Sequence, residues 1–178
     1  DLFSVPLAGG SPSHLSAGLA CCSFENDFAI SPDSSTVVYR ANFTAWGGLD
    51  LIRAPLAGGA PQLLSAALFS PQEVASFTLS PDSSRVVYLA DQDADQLGEL
   101  FSVALAGGAV TQLNPPLVLN GDVRGGYLVS ADSSTDVYRA DQALDQVIEL
   151  YAVPLTGGAA SKLNPTLARS PASVGDVE

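Results

Sequence analysis

The chain has 178 residues, 47% of them apolar, and 19 acidic against 7 basic side chains give it a formal net charge of −12. The basic residues (Arg40, Arg53, Arg85, Arg124, Arg139, Lys162, Arg169) are scattered singly along the sequence, which speaks against nucleic-acid binding, because a phosphate backbone is held by clustered Lys and Arg. No run reaches the roughly 18 consecutive apolar residues of a membrane helix, so no membrane span is expected. An acidic surface of this kind favours cations or basic partners. The sequence contains no Met, position 1 included, and reads as a processed product, an excised segment or part of something longer.

In chain order, Leu2 to Leu7 alternates and ends in Ala-Gly-Gly, as a strand entering a tight hairpin does, since glycine tolerates positive φ. A short strand closing at Leu15 follows. Residues 1–26 therefore read as half a structural unit with its linker. Cys21 and Cys22, the only cysteines, lie in that linker. They are two loop thiols, a strained vicinal disulfide or a link to another chain. With the single His14 they supply too few donors for a zinc cluster.

From residue 27 the pattern becomes complete. Phe28 to Ser31 alternates as a half-buried strand. Pro32-Asp33-Ser34-Ser35 has turn chemistry, with Asp and Ser side chains able to bond the backbone two residues on. Val37 to Ala41 is β-branched and aromatic, and Leu51 to Leu56 and a short strand ending at Leu64 complete a four-stranded unit, residues 27–65. The unit recurs at 75–114 (Phe77 to Ser80, Val86 to Ala90, Leu100 to Leu105, ending at Leu113). It recurs again at 126–164 (Tyr127 to Ser130, Val137 to Ala140, Leu150 to Leu155, ending at Leu163), and residues 165–178 form a linker leading towards a further repeat. The segments starting at Asp1, Asp50, Glu99 and Glu149 are spaced by 49, 49 and 50 residues. Self-similarity at such a period marks a repeat architecture. Frequent Gly and Pro disfavour helix.

The expected fold is all-β: about three and a half β-propeller-type repeats, each a blade of four antiparallel strands, with an open β-repeat array or solenoid as the alternative. The half unit at the front implies either a longer array or neighbouring copies that cover the open edges, and head-to-tail pairing that does not close gives a filament. The string SPDSSxVVYxA, loop, ELFSVxLAGG resembles the propeller repeats of the TolB-like family, also seen in the propellers of dipeptidyl peptidases, over nearly the whole chain. That resemblance implies a propeller and covers periplasmic partner-binding modules, propellers that gate a separate hydrolase domain and surface proteins of other kinds.

Candidate chemistry is sparse. Asp91, Asp93 and Asp95 at alternate positions, with Glu99 beyond, have the spacing with which calcium loops gather oxygen ligands. Gln96 stands where such loops need Gly, and the third repeat has Ala143 between Asp141 and Asp145, so a solvated acidic loop competes with a weak calcium site. No other cofactor is expected. Asn42-Phe43-Thr44 is an N-glycosylation sequon, making Asn42 the candidate glycan acceptor. His14 has no Gly-x-Ser-x-Gly elbow to serve, so no Ser-His-acid hydrolase is expected. The recurrence of Asp33, Asp82 and Asp132 argues for turn structure rather than paired-carboxylate catalysis. Trp46 and Phe43 could offer a stacking surface but more simply cover a blade edge.

The function expected from these features is a noncatalytic, extracytoplasmic propeller module that binds a protein partner or copies of itself, or serves surface structure. The alternatives are a subunit of a self-assembling, glycosylated filament, linked through Cys21 and Cys22, and the propeller segment of a larger hydrolase.

Overall fold

The computed structural model of the chain describes residues 1–19, 24–43, 48–93 and 96–165. Among them are fourteen strands and no helix. A two-stranded ribbon, β1 (Phe3–Ser4) and β2 (Ser13–His14), comes first. Three antiparallel meanders of four strands follow. They are β3 (Phe24–Ile30), β4 (Thr36–Ala41), β5 (Asp50–Pro55) and β6 (Gln62–Leu63); β7 (Val74–Leu79), β8 (Arg85–Ala90), β9 (Glu99–Ala104) and β10 (Thr111–Gln112); and β11 (Val123–Val129), β12 (Thr135–Ala140), β13 (Glu149–Pro154) and β14 (Ser161–Lys162). These are the expected all-β blades.

The first strand of each blade begins earlier than its alternating segment suggests. A register shift interrupts β3 between Phe24 and Phe28, β7 between Val74 and Ser76, and β11 between Arg124 and Leu128. Such a bulge breaks period two and hides the start of the strand from a reading by alternation. It also leaves carbonyls outside the ladder. Arg40 Nη1 donates to two of them, Val74 O at 2.7 Å and Ala75 O at 2.8 Å, while its Nε pairs with Asp27 at 3.1 Å; Arg139 serves Gly125 O at 2.8 Å.

The core lies between the sheets. One apolar cluster joins the first ribbon to β3–β6 around Leu15, Tyr39 and Ile52; a second joins β3–β6 to β7–β10 around Val38, Tyr88 and Phe101; a third joins β7–β10 to β11–β14 around Leu100, Tyr138 and Tyr151. The central strand of each blade contributes a fully buried tyrosine at the same repeat position, Tyr39, Tyr88 and Tyr138. Burial of a large side chain contributes on the order of 2 kcal/mol, provided its hydroxyl is bonded. The three hydroxyls donate to Leu15 O at 3.0 Å, Gln92 Oε1 at 3.0 Å and Gln142 Oε1 at 2.8 Å. Burial pushes the Tyr39 hydroxyl up to about 12.

The Asp-Ser-Ser turns knit the blades to one another. Within each turn the Ser Oγ donates to the Asp carboxylate (Ser31 to Asp33, Ser80 to Asp82, Ser130 to Asp132, 2.5–2.6 Å), which also accepts the N–H of Ser35, Ser84 or Ser134. These bonds hold Asp33 and Asp132 below the usual carboxylate range and bring Asp82 to about 2. The next residue takes the left-handed conformation, with φ of 59° at Ser34, 61° at Ser83 and 59° at Ser133. That geometry turns the hydroxyl towards the preceding blade: Asp33 N–H donates to Ser83 Oγ and Asp82 N–H to Ser133 Oγ, both at 3.0 Å.

Candidate functional site

The repeat makes deviations from it easy to find, and the largest is at the front. In the complete blades the third strand runs six residues because the second strand pairs along its whole length. In the front ribbon β1 pairs only with β2, and its other edge is open. Beside that edge lies a groove of about 780 Å³, lined by Phe3, Val5, Leu7, Phe28, Ile30 and Val37 among others, with Ser34 at its margin. Its floor is the face of β3 and β4, and its wall is β1 and the residues that follow it.

Comparison of equivalent residues shows how unusual this wall is. Leu105 and Leu155 at the end of the third strand are 5% and 1% exposed, whereas Leu7 is 108% exposed. Leu56, Leu105 and Leu155 donate their N–H groups to Ser35 O, Ser84 O and Ser134 O in the turn of their own blade, at 2.8–3.0 Å. Phe101 stacks on Tyr88 and Tyr151 on Tyr138 across the ladder, with centroids 5.4 and 5.6 Å apart. Phe3, at the position of Phe101, instead stacks on His14 at 4.6 Å and remains 56% exposed. Phe28 and Ile30 are also exposed. Clustered exposed apolar side chains of this kind mark interaction surfaces.

His14 does have Ser16 and Asp1 beside it, which the sequence reading did not foresee. Nε2 of His14 lies 3.1 Å from Ser16 Oγ and 3.4 Å from Asp1 Oδ1. A hydrolytic triad needs the serine and the acid on opposite ring nitrogens, and here both sit on one. Ser16 is buried and accepts the N–H of Leu2 at 3.0 Å. The same bracket recurs as Ser65 to Leu51, Asn114 to Leu100 and Asn164 to Leu150, so Ser16 is a strand clamp common to all four units.

The candidate calcium loop is partly visible. Asp91 accepts the N–H of Glu73 at 2.6 Å and of Gln96 at 3.1 Å. Asp141 does the same for Asp122 at 2.7 Å and Gln146 at 3.1 Å. Both carboxylates close their own loop, and Gln96 and Gln146 take positive φ of 64° and 63°. Glu99 is buried at the head of β9, with Oε1 accepting from Gln112 at 2.7 Å; burial first, then the charge of Asp93, raises it. Asp95 lies outside the described residues, and no group of three or more His, Cys, Asp or Glu among the described residues is arranged to hold a metal. Asn42 is half-buried, and its Nδ2, the atom a glycan would take, donates to Gly48 O at 3.0 Å. Cys21, Cys22, Thr44 and Trp46 lie outside the described residues.

One buried group is a departure from the repeat that was not among the sequence candidates. Asp136 stands where Val37 and Val86 stand in the other blades. It is fully buried and neither carboxylate oxygen has a hydrogen-bond partner. Burial pushes it up to about 7.

No family model and no curated protein matches the sequence. In structure the chain is similar to a protein assigned as TolB from Agrobacterium tumefaciens, with 22% identity and a TM-score of 0.61 over 92% of this chain and 55% of that one. It is also similar to TolB from Acinetobacter baumannii, at 14% identity and a TM-score of 0.52 over 80% of this chain and 33% of that one. A puromycin-hydrolyzing peptidase from Mycobacterium tuberculosis matches at 15% identity and a TM-score of 0.51 over 91% of this chain and 31% of that one. The chain spans about half the length of the first of these structures and about a third of the other two. The chain is thus a module of β-propeller blades. In fold they are similar to the blades of the TolB proteins.

Proposed function

We propose that the chain is a noncatalytic, extracytoplasmic propeller module whose task is to bind another protein. The observation that carries this reading is the front groove, where an edge strand with open backbone hydrogen-bonding groups stands beside exposed Phe3, Phe28 and Ile30. Backbone pairing at an edge combined with apolar pockets is a general mode of peptide recognition. The likeness to TolB proteins supports a location outside the cytoplasm, as the sequence resemblance implies. Light scattering and electron microscopy of the native material, with intact mass on the same sample, test the reading. Discrete particles near 18.2 kDa that enrich a defined partner are expected.

A second reading, a self-assembling filament subunit, draws on the opposite end of the array. Leu150 is 37% exposed on the outer face of β13, whereas its equivalent Leu100 is buried against the next blade. Leu128 and Leu163 are exposed as well, so both ends present apolar surface. Filaments with an axial repeat near one chain, carrying excess mass from a glycan on Asn42, would favour it. The likeness to a peptidase leaves the hydrolase-propeller reading to be tested by whether a catalytic domain is encoded in the same chain or beside it.

A further inference from the structure

We propose that the second blade binds a divalent cation, calcium by the chemistry of its ligands, between the carboxylates of Glu99 and Asp93. One repeat position, compared across its four copies, carries the inference. A carboxylate heads the third strand of every unit, as Asp1, Asp50, Glu99 and Glu149. Asp1 Oδ1 accepts the Ser16 hydroxyl at 3.4 Å and lies 3.4 Å from His14 Nε2. Asp50 accepts one backbone N–H on each oxygen, from Leu68 at 3.0 Å and Phe43 at 3.1 Å. Glu149 likewise fills both oxygens, with the Tyr151 hydroxyl at 2.8 Å and Lys162 Nζ at 3.1 Å. Glu99 is the exception. Its Oε1 accepts from Gln112 Nε2 at 2.7 Å, but Oε2 is buried and has no hydrogen-bond partner.

The surroundings of Glu99 and Glu149 differ in a correlated way. Phe101 stands where Tyr151 supplies a hydroxyl, and Gln112 where Lys162 supplies a positive charge. The third blade therefore sets one ammonium against one carboxylate. The second blade lacks the ammonium and adds a carboxylate, because Asp93 stands where the third blade has Ala143, and the charge of Asp93 acts on Glu99. Glu99 is only 6% exposed, and a buried carboxylate is ordinarily paired or ligates a metal. Two carboxylates balance a dication, whereas an ammonium or alkali ion leaves one negative charge over. Their oxygens are hard donors, which suits calcium, and its flexible coordination accepts water in the remaining positions. Asp91, the first acid of the alternating run, is engaged elsewhere, one oxygen accepting the N–H of Glu73 and the other that of Gln96. The ion ties Asp93, exposed in its loop, to the head of β9. With two protein carboxylates its dissociation constant falls in the range of roughly 10⁻⁴ to 10⁻³ M that extracellular calcium modules show.

Isothermal titration of the whole chain with calcium chloride at neutral pH tests the proposal. One ion per chain is expected, with a melting temperature that rises with calcium concentration. Gln112→Lys gives the second blade the ammonium that Lys162 gives the third. It should fold as the parent does and lower calcium affinity at least tenfold. Asp93→Asn, a change at an exposed loop position, should lower it by a similar factor, and circular dichroism without calcium checks that both variants are folded. Absence of heat and of any melting shift at about 10 mM calcium, well above the expected dissociation constant, overturns the proposal. So does binding that both substitutions leave unchanged, which would put the ion elsewhere on the acidic surface. Neither result bears on partner capture, which tests the interaction-module reading separately.

Discussion

The backbone N–H of Asp33 donates to Ser83 Oγ across the junction of two blades, 50 residues apart in sequence, and Asp82 repeats the contact with Ser133. The serines make these bonds from a left-handed backbone conformation that costs an L-residue roughly 1–2 kcal/mol. A glycine would relieve the backbone but carries no hydroxyl. Ser83→Ala should therefore lower stability by about 1 kcal/mol, because it loses the bond and keeps the backbone cost. Ser83→Gly should be close to neutral. Ser34→Gly, at the position with no cross-blade partner, should stabilise by up to about 1 kcal/mol. Urea unfolding of the three variants checks the order, and Ser83→Ala as stable as the parent would show that the bond carries no weight.

Asp136 makes stability depend on pH. Its folded value of about 7 lies above the ordinary 3.8, so the folded chain holds this proton more tightly than the unfolded chain. Its penalty is absent below pH 4, grows as pH rises and is complete above pH 7. The gap corresponds to about 4 kcal/mol. Asp136→Val, the residue of the other two blades, should stabilise by that order at pH 8 and far less at pH 4, flattening the profile of melting temperature against pH. An unchanged profile would show that the carboxylate reaches water.

The Asp141 carboxylate binds two backbone amides with its side chain fully buried. Burial raises it, but the amide bonds from Asp122 and Gln146 and the Arg124 charge more than offset that, and the net direction is downward. Its contribution is present above the ordinary carboxylate value and is lost as pH falls below it. Asp141→Ala should cost about 2–4 kcal/mol, and Asp91→Ala, where the same bonds are solvent-exposed, should cost less. Thermal melts at neutral pH compare the two, and equal losses would contradict the role assigned to burial.

Gly48 illustrates close approach of backbone to backbone. A Cβ there would sit 1.7 Å from Gln72 O, a clash with main chain that no rotamer relieves. Gly48→Ala should cost 3 kcal/mol or more and loosen the parallel bridge of Leu49 to Glu73, seen as faster amide exchange at Val74, whose N–H bonds Leu49 O. A folded variant with exchange unchanged at Val74 would refute this.

The blades were legible because their signals repeat. The Asp-Ser-Ser turn, the β-branched second strand and the Ala-Gly-Gly hairpin each recur in phase, and local chemistry dictates all three. The first-strand starts were not, since the irregularity between the paired Phe24 and Phe28 sets three residues, 25–27, against the single Arg40 of β4 and breaks the alternation. Asp91 drew attention for its spacing to Asp93, yet its role is revealed by Asp141 in the next unit, where the intervening acid is Ala143. The partner contacts of Ser83 are invisible in sequence because they depend on one dihedral angle. The groove was foreseen only as an unpaired half unit, and its lining needed coordinates. Asp136 stood in plain view as the single departure from Val-Val-Tyr, and alignment of the three copies could have flagged it.

The stitch from Asp33 to Ser83 also gives the array a direction. Each turn offers a donor to the blade after it and an acceptor to the blade before it, so its two ends are chemically unlike: a hydroxyl acceptor at Ser34 in front and an amide donor at Asp132 behind. Two copies meeting back to back set amide donor against amide donor, and only a front-to-back meeting repeats the Asp-to-Ser bond seen between the blades. A further blade joined by this code, on either side, would have to keep the same sense along the array.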